Sequence, residues 1–128
     1  MKIPLSDRGK YYRGLLVLIK KDRIVSAREQ ELMMRFGQAL DFDKRFCETA
    51  INDLARNPHI KDVPMVFSDR STAESFVRDG VSLASIDGEF HPEELRWLKA
   101  VANANGLEDE RISFEIARLA PKEVAAEL

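Results

Sequence analysis

The run Ser26-Ala27-Arg28-Glu29-Gln30-Glu31-Leu32-Met33-Met34-Arg35-Phe36-Gly37-Gln38-Ala39-Leu40 carries both the start signal and the buried stripe of an α-helix. Ser26 and Glu29 have the spacing of a capping box, in which hydroxyl and carboxylate satisfy the orphan amides of a helix start reciprocally. Leu32, Met33, Phe36, Ala39 and Leu40 recur at three and four residues, so one side of the helix faces a core. Downstream, Asp43 is placed to cap a second helix with Phe46, Ala50, Ile51 and Leu54 on its buried side. Asn57-Pro58 ends that helix, because proline disfavours helical geometry in the residue before it.

The same pattern recurs at an offset of 65 residues. Setting Asp22 against Asp87 pairs Val25 with Phe90, Glu29 with Glu94, Leu32 with Trp97, Met33 with Leu98, Phe36 with Val101 and Phe42 with Leu107, without a gap. Helical amphipathicity alone reproduces the apolar positions but not both acids, so each half reads as helix, acidic turn, helix. The remaining elements fit this scheme. Residues 7–21 form an amphipathic helix, Asp69 or Ser71 starts one through Phe76, Val77, Val81 and Ala84, and Gly80 weakens it by about 1 kcal/mol relative to Ala. His91-Pro92 opens another, with proline at the first helical position, and Gly106 supplies its left-handed stop. Phe90 and Leu95 have the spacing of a hydrophobic staple across that start. Residues 108–119 and 122–127 make two terminal helices, and no segment alternates with the period of a half-buried strand. The expected fold is an all-α, single-domain helical bundle over residues 1–128, with an internal pseudo-two-fold repeat whose units span about 10–57 and 69–120.

A chain of 128 residues, 45% hydrophobic and 33% charged, can bury a core without a disulfide or metal staple, and its composition excludes disorder. The longest apolar run, Leu15 to Ile19, is far short of the roughly twenty residues of a membrane span, which predicts a cytoplasmic protein. The single cysteine, Cys47, forms no internal disulfide, and two histidines leave little material for zinc or His-dependent catalysis. Charge is divided unevenly: residues 1–64 carry 13 Lys/Arg against 9 Asp/Glu, and residues 65–128 carry 7 against 13. The basic half is a candidate phosphate-binding surface, although it holds no recognisable nucleic-acid module.

The acidic turn of the second half concentrates the chemistry. Asp87, Glu89, Glu93 and Glu94 lie within eight residues, and Arg96 and Lys99 follow only about a turn later. Clustered carboxylates on a tight turn present the hard oxygen ligands that Ca²⁺ or Mg²⁺ accepts, which makes Asp87, Glu89 and Glu94 candidate metal ligands. A second reading uses the same residues structurally, with Glu94 capping its own helix and Asp87 bonding the turn. An EF-hand is excluded, since Leu83 would occupy the obligatory first ligand position. In the first half Lys20, Lys21 and Arg23 surround Asp22 and compensate it without a cation.

The segment Ser85-Ile86-Asp87-Gly88-Glu89-Phe90-His91-Pro92-Glu93-Glu94-Leu95, continuing to Asn105-Gly106-Leu107, resembles the Asp-Gly-x-[aromatic or aliphatic]-x-x-x-Glu signature of the TerB-like domains, a family that includes the tellurite-resistance proteins. Asp22 to Phe42 is similar to the family's weaker first copy, with Arg23 at the glycine position, and the resemblance covers roughly residues 10–120. It implies an all-helical domain with an acidic, cation-accepting surface and a role in bacterial stress response or protein assembly, without catalysis. The function expected is therefore a non-enzymatic domain that binds a protein partner. A metal-dependent hydrolase using the clustered carboxylates and a nucleic-acid binder through the basic half are the alternatives. The chain has no P-loop, dinucleotide-binding glycine pattern, nucleophile elbow or zinc spacing.

Overall fold

The computed structural model describes residues 3–21, 25–54, 63–86, 88 and 90–119. Six helices are formed among them: α1 (Leu5–Lys20), α2 (Ala27–Ala39), α3 (Lys44–Leu54), α4 (Arg70–Ser85), α5 (Pro92–Ala104) and α6 (Asp109–Leu119). No strand occurs among the described residues, and no helix there is long and apolar enough to cross a membrane. Asn57-Pro58 and residues 122–127 lie outside the described residues.

Local signals start and stop these helices. Ser26 Oγ accepts from the Glu29 amide at 3.1 Å while Glu29 Oε1 accepts from the Ser26 amide at 3.0 Å, closing the capping box. Asp43 and Asp69 accept from the amides of Phe46 and Thr72, each at 2.7 Å. The Thr72 amide holds the Asp69 carboxyl below the usual carboxylate range. Both α2 and α5 end in a Schellman turn: the amides of Phe42 and Leu107 return to the carbonyls of Gly37 and Ala102, each at 2.9 Å. The left-handed residue of that turn is Gly106 (φ 75°) in α5 and Asp41 (φ 66°) in α2, aspartate being among the few side chains that tolerate this conformation.

α1 and α4 are the central pair, and each of the nine residues from Tyr11 to Ile19 except Arg13 is buried. Around them the contacts are balanced: α2 and α3 pack on each other and on α1, α5 and α6 pack on each other and on α4, and α1–α5 is matched by α4–α2. Helices α4, α5 and α6 begin and end 65 residues after α1, α2 and α3 respectively. The core runs through Tyr11, Leu15, Leu18, Ile19, Met33, Phe76, Leu83 and Leu98.

Several sequence expectations need correction. Trp97 and Val101 are buried, but their partners at the 65-residue offset, Leu32 and Phe36, are only half-buried, and Ala39 is exposed. On α3 the buried stripe is Cys47, Ile51 and Leu54, while Phe46 is 51% exposed and Ala50 half-buried. The cause is rotation of α3 toward Gly37, whose missing side chain receives Cys47; a Cβ at Gly37 would lie 2.2 Å from Cys47 Sγ. Phe46 instead stacks beside Phe42 at 5.0 Å between ring centroids. Gly80, read as a weakness of α4, has a packing reason, because a Cβ there would lie 2.5 Å from Leu98 Cδ2. Gly14 plays the same role beside Phe76 and also offers its carbonyl to Trp97 Nε1 at 3.0 Å.

The connector before α4 has no regular secondary structure over residues 63–67 and is tied at both sides. Asp7, wholly buried in the first turn of α1, accepts from the Ser68 amide at 2.9 Å and from the Ser68 hydroxyl at 3.0 Å. Asn105, at the end of α5, accepts from the Phe67 amide at 2.8 Å and donates to the Met65 carbonyl at 2.9 Å.

Candidate functional site

Of the three candidate metal ligands, Asp87 and Glu89 lie outside the described residues, and Glu94 is described. Glu94 is buried at the start of α5, where Oε1 accepts from the His91 amide at 3.2 Å, and Pro92 occupies the first helical position. Its counterpart Glu29 is buried in the same way at the start of α2. A carboxylate committed to the amides of its own helix start is a structural acid first. Among the described residues no group of three His, Cys, Asp or Glu side chains is gathered tightly enough to hold a metal ion.

Immediately before the acidic turn, Ile86 ends α4 against α2. Ile86 lines one side of a groove of about 120 Å³, and Arg28, Glu31, Leu32 and Arg35 line the other. These four are spaced i, i+3, i+4 and i+7 along α2, so helical periodicity alone puts them on one side of it. Arg35 bonds Glu31 at 3.1 Å, whereas Arg28 is exposed at the groove edge. Leu32 and Ile86 are both half-buried, giving the groove an apolar floor with guanidinium groups on its wall. Sequence reasoning placed the arginines in a basic half but not beside Ile86, because only tertiary packing brings α2 to the end of α4.

A second polar cluster is carried by α4, which packs on α1 and on α6. The Tyr11 hydroxyl lies 2.9 Å from Ser75 Oγ and donates to Asp79 Oδ2 at 2.5 Å, and Arg78 donates to Ser75 Oγ at 3.2 Å. Buried Glu115 on α6 accepts from Arg118 at 2.9 Å, and Arg111 pairs with Glu74 nearby on the same interface. Burial, and then the Asp79 charge, push the Tyr11 phenol upward, so it stays protonated as the donor. Burial raises the Asp79 carboxyl and Glu115 adds to the rise, against the lowering effect of the Tyr11 hydrogen bond and Arg78. The sequence offered one faint sign of this cluster: an aspartate one residue before Gly80, between the apolar positions Val77 and Val81.

The raised Asp79 carboxyl has a consequence for stability. A carboxyl whose folded pKa exceeds its unfolded value is protonated in both states at low pH, so it costs nothing there. The cost of ionising it in the fold appears as pH rises from the ordinary carboxyl value through the folded one. Asp79→Asn retains an oxygen acceptor for Tyr11 and removes the titration. The variant should therefore lose less stability than the wild type between acid and neutral pH, as read by urea unfolding at several pH values. Parallel pH profiles of the two proteins would disprove it.

Neither groove residues nor the polar cluster presents a nucleophile with a base directed at an open cavity. Against protein-family models, curated proteins and solved structures alike, the chain finds no match.

Proposed function

We propose that this protein is a non-enzymatic, TerB-like interaction domain that binds a protein partner across the junction of its two halves. In this reading a divalent cation, Ca²⁺ or Mg²⁺, is held at the turn containing Asp87 and Glu89. The supporting observation is the groove at Ile86, in which α2 of the first half meets the end of α4, directly next to that turn. An apolar floor of Leu32 and Ile86 beneath Arg28 and Arg35 suits a side chain that joins an apolar surface to a carboxylate. The two halves are read as copies of one unit related by a pseudo-two-fold, in line with six helix boundaries that coincide at an offset of 65. Glu94 is assigned to capping, so the cation would rest on Asp87 and Glu89 with backbone or water oxygens completing its shell.

The cation and the partner are tested separately. Millimolar Ca²⁺ or Mg²⁺ should raise the melting temperature of the wild type by mass action on the folded state, and Asp87→Asn with Glu89→Gln should abolish the rise. No ion-dependent shift in the wild type ends the cation assignment. For the partner, a photo-crosslinker at Leu32 should give a discrete adduct in cells that Arg28→Glu with Arg35→Glu removes, while one at exposed Thr49 should not. Equal labelling from both positions would reject the groove as the binding surface.

A further inference from the structure

Asn105 and Gly106 are adjacent, and an asparagine followed by glycine is the pair most open to spontaneous deamidation, since glycine leaves the attacking backbone nitrogen unshielded. Here the pair lies at a structural joint. Asn105 Nδ2 donates to the Met65 carbonyl at 2.9 Å and to the Val101 carbonyl at 2.8 Å, while Oδ1 accepts from the Phe67 amide at 2.8 Å. One side-chain amide thus joins the end of α5 to the connector that leads into α4. The nucleophile is held as well: the Gly106 amide donates to the Asn103 carbonyl at 3.1 Å in the Schellman turn. Gly106 is exposed and takes φ 75°, so water reaches the reacting bond whenever the turn opens.

We propose that Asn105 is a covalent modification site whose deamidation is gated by opening of this latch and whose conversion to aspartate releases the connector. The Gly106 nitrogen, having given its proton to solvent base, attacks Asn105 Cγ. The N–Cγ bond forms, the Cγ–Nδ2 bond breaks, and Nδ2 leaves with its bonding pair and one added proton as ammonia. Water then opens the cyclic imide at either carbonyl, yielding aspartate or isoaspartate at position 105. No oxidant or cofactor enters. After the change, one carboxylate oxygen can still accept from the Phe67 amide, but the other faces the Met65 and Val101 carbonyls with no proton to offer. Three acceptors without a donor between them repel; the Val101 carbonyl keeps the Asn105 backbone amide at 3.2 Å, while the Met65 carbonyl loses the side-chain donor that tied the connector to α5. Phe67, which packs on Tyr11 and Phe76 at 5.8 and 5.5 Å between centroids, then keeps its own amide bond but follows a Met65 carbonyl that is no longer held. Isoaspartate also inserts a backbone carbon into the Schellman turn.

The test is to age the full-length protein at mildly alkaline pH, folded and in urea, and to follow conversion at position 105 by peptide mapping and isoaspartate detection. Conversion in the folded protein should be about tenfold slower or more than in urea, because reaction through a locally opened state scales with the population of that state. Ser68→Ala, which loosens the connector away from the reacting bond, should speed conversion in the folded protein without changing the rate in urea. Equal rates in the folded and unfolded wild type would overturn the gate. For the release, folded protein that has converted, separated by ion exchange, should be cut faster within residues 63–67 by a protease than unconverted protein. Asn105→Asp should behave alike, and circular dichroism reports whether its helices persist. Equal protection of the connector in converted and unconverted folded protein would overturn the release.

Discussion

Phe76→Ala is expected to destabilise the protein by about 3–5 kcal/mol, the usual cost of emptying a core aromatic site that cannot collapse. The ring is wholly inaccessible, packs edge-on against Tyr11 at 5.4 Å and lies tilted against Phe67 at 5.5 Å. Two of its carbons also occupy the place where a Gly14 side chain would begin, at 2.7 and 2.8 Å from a Cβ built there. Removing the ring therefore leaves a void between α1, α4 and the connector, with backbone on one side that has no side chain to fill it. Urea unfolding should show a lower midpoint with an unchanged slope. A loss below about 1 kcal/mol would mean that the site closes over the gap, contrary to this packing. In the Phe76→Leu background, Gly14→Ala should cost less than it does alone, since a branched aliphatic chain can withdraw from the new methyl where a planar ring cannot.

The second large effect belongs to Gly37→Ala. Placing alanine in a helix interior gains about 1 kcal/mol over glycine, so a surface position would be stabilised. Here the methyl would stand 2.2 Å from Cys47 Sγ and 3.3 Å from Cε1 and the hydroxyl oxygen of Tyr12. Those neighbours have little freedom. The Tyr12 hydroxyl donates to the Met33 carbonyl at 3.0 Å, and burial followed by the Cys47 thiol beside it pushes its phenol upward. Overpacking at such a contact costs about 1–3 kcal/mol after partial relaxation, enough to reverse the propensity gain. Cys47→Ala removes the sulfur, and in that background Gly37→Ala should become neutral or stabilising. A double-mutant cycle with no coupling between positions 37 and 47 would show that α2 and α3 do not meet in this way.

Both effects depend on a glycine, Gly14 against Phe76 and Gly37 against Cys47, whose purpose the sequence conceals. Helix starts were readable because their chemistry is local: Ser26 with Glu29, Asp69 with the Thr72 amide and Glu94 with the His91 amide each make their bonds within a turn, and Pro92 brings no amide to satisfy. The helix ends were readable where glycine marks the left-handed residue, as at Gly106, and less so at Asp41, where aspartate takes that conformation. The apolar spacing identified Phe76, Val77, Val81 and Ala84 as one buried face, and the structure buries all four.

Periodicity left open how far each face turns toward the core. Cys47 rather than Phe46 is buried on α3 because Gly37 makes room for sulfur, a fact held by a residue on another helix. The candidate site divides along the same line. The capping role of Glu94 follows from residues three positions apart, but the groove that places Arg28 and Arg35 beside Ile86 needs α2 and α4 to be packed together. Sequence by itself determined the six helices' class, several of their caps and the 65-residue spacing, because short-range hydrogen bonding and amphipathic period depend only on neighbours along the chain. Tertiary structure alone decided the close glycine contacts, the raised Asp79 carboxyl, the connector's latches at Asp7 and Asn105 and the groove at Ile86, because burial and approach are set by residues tens of positions away.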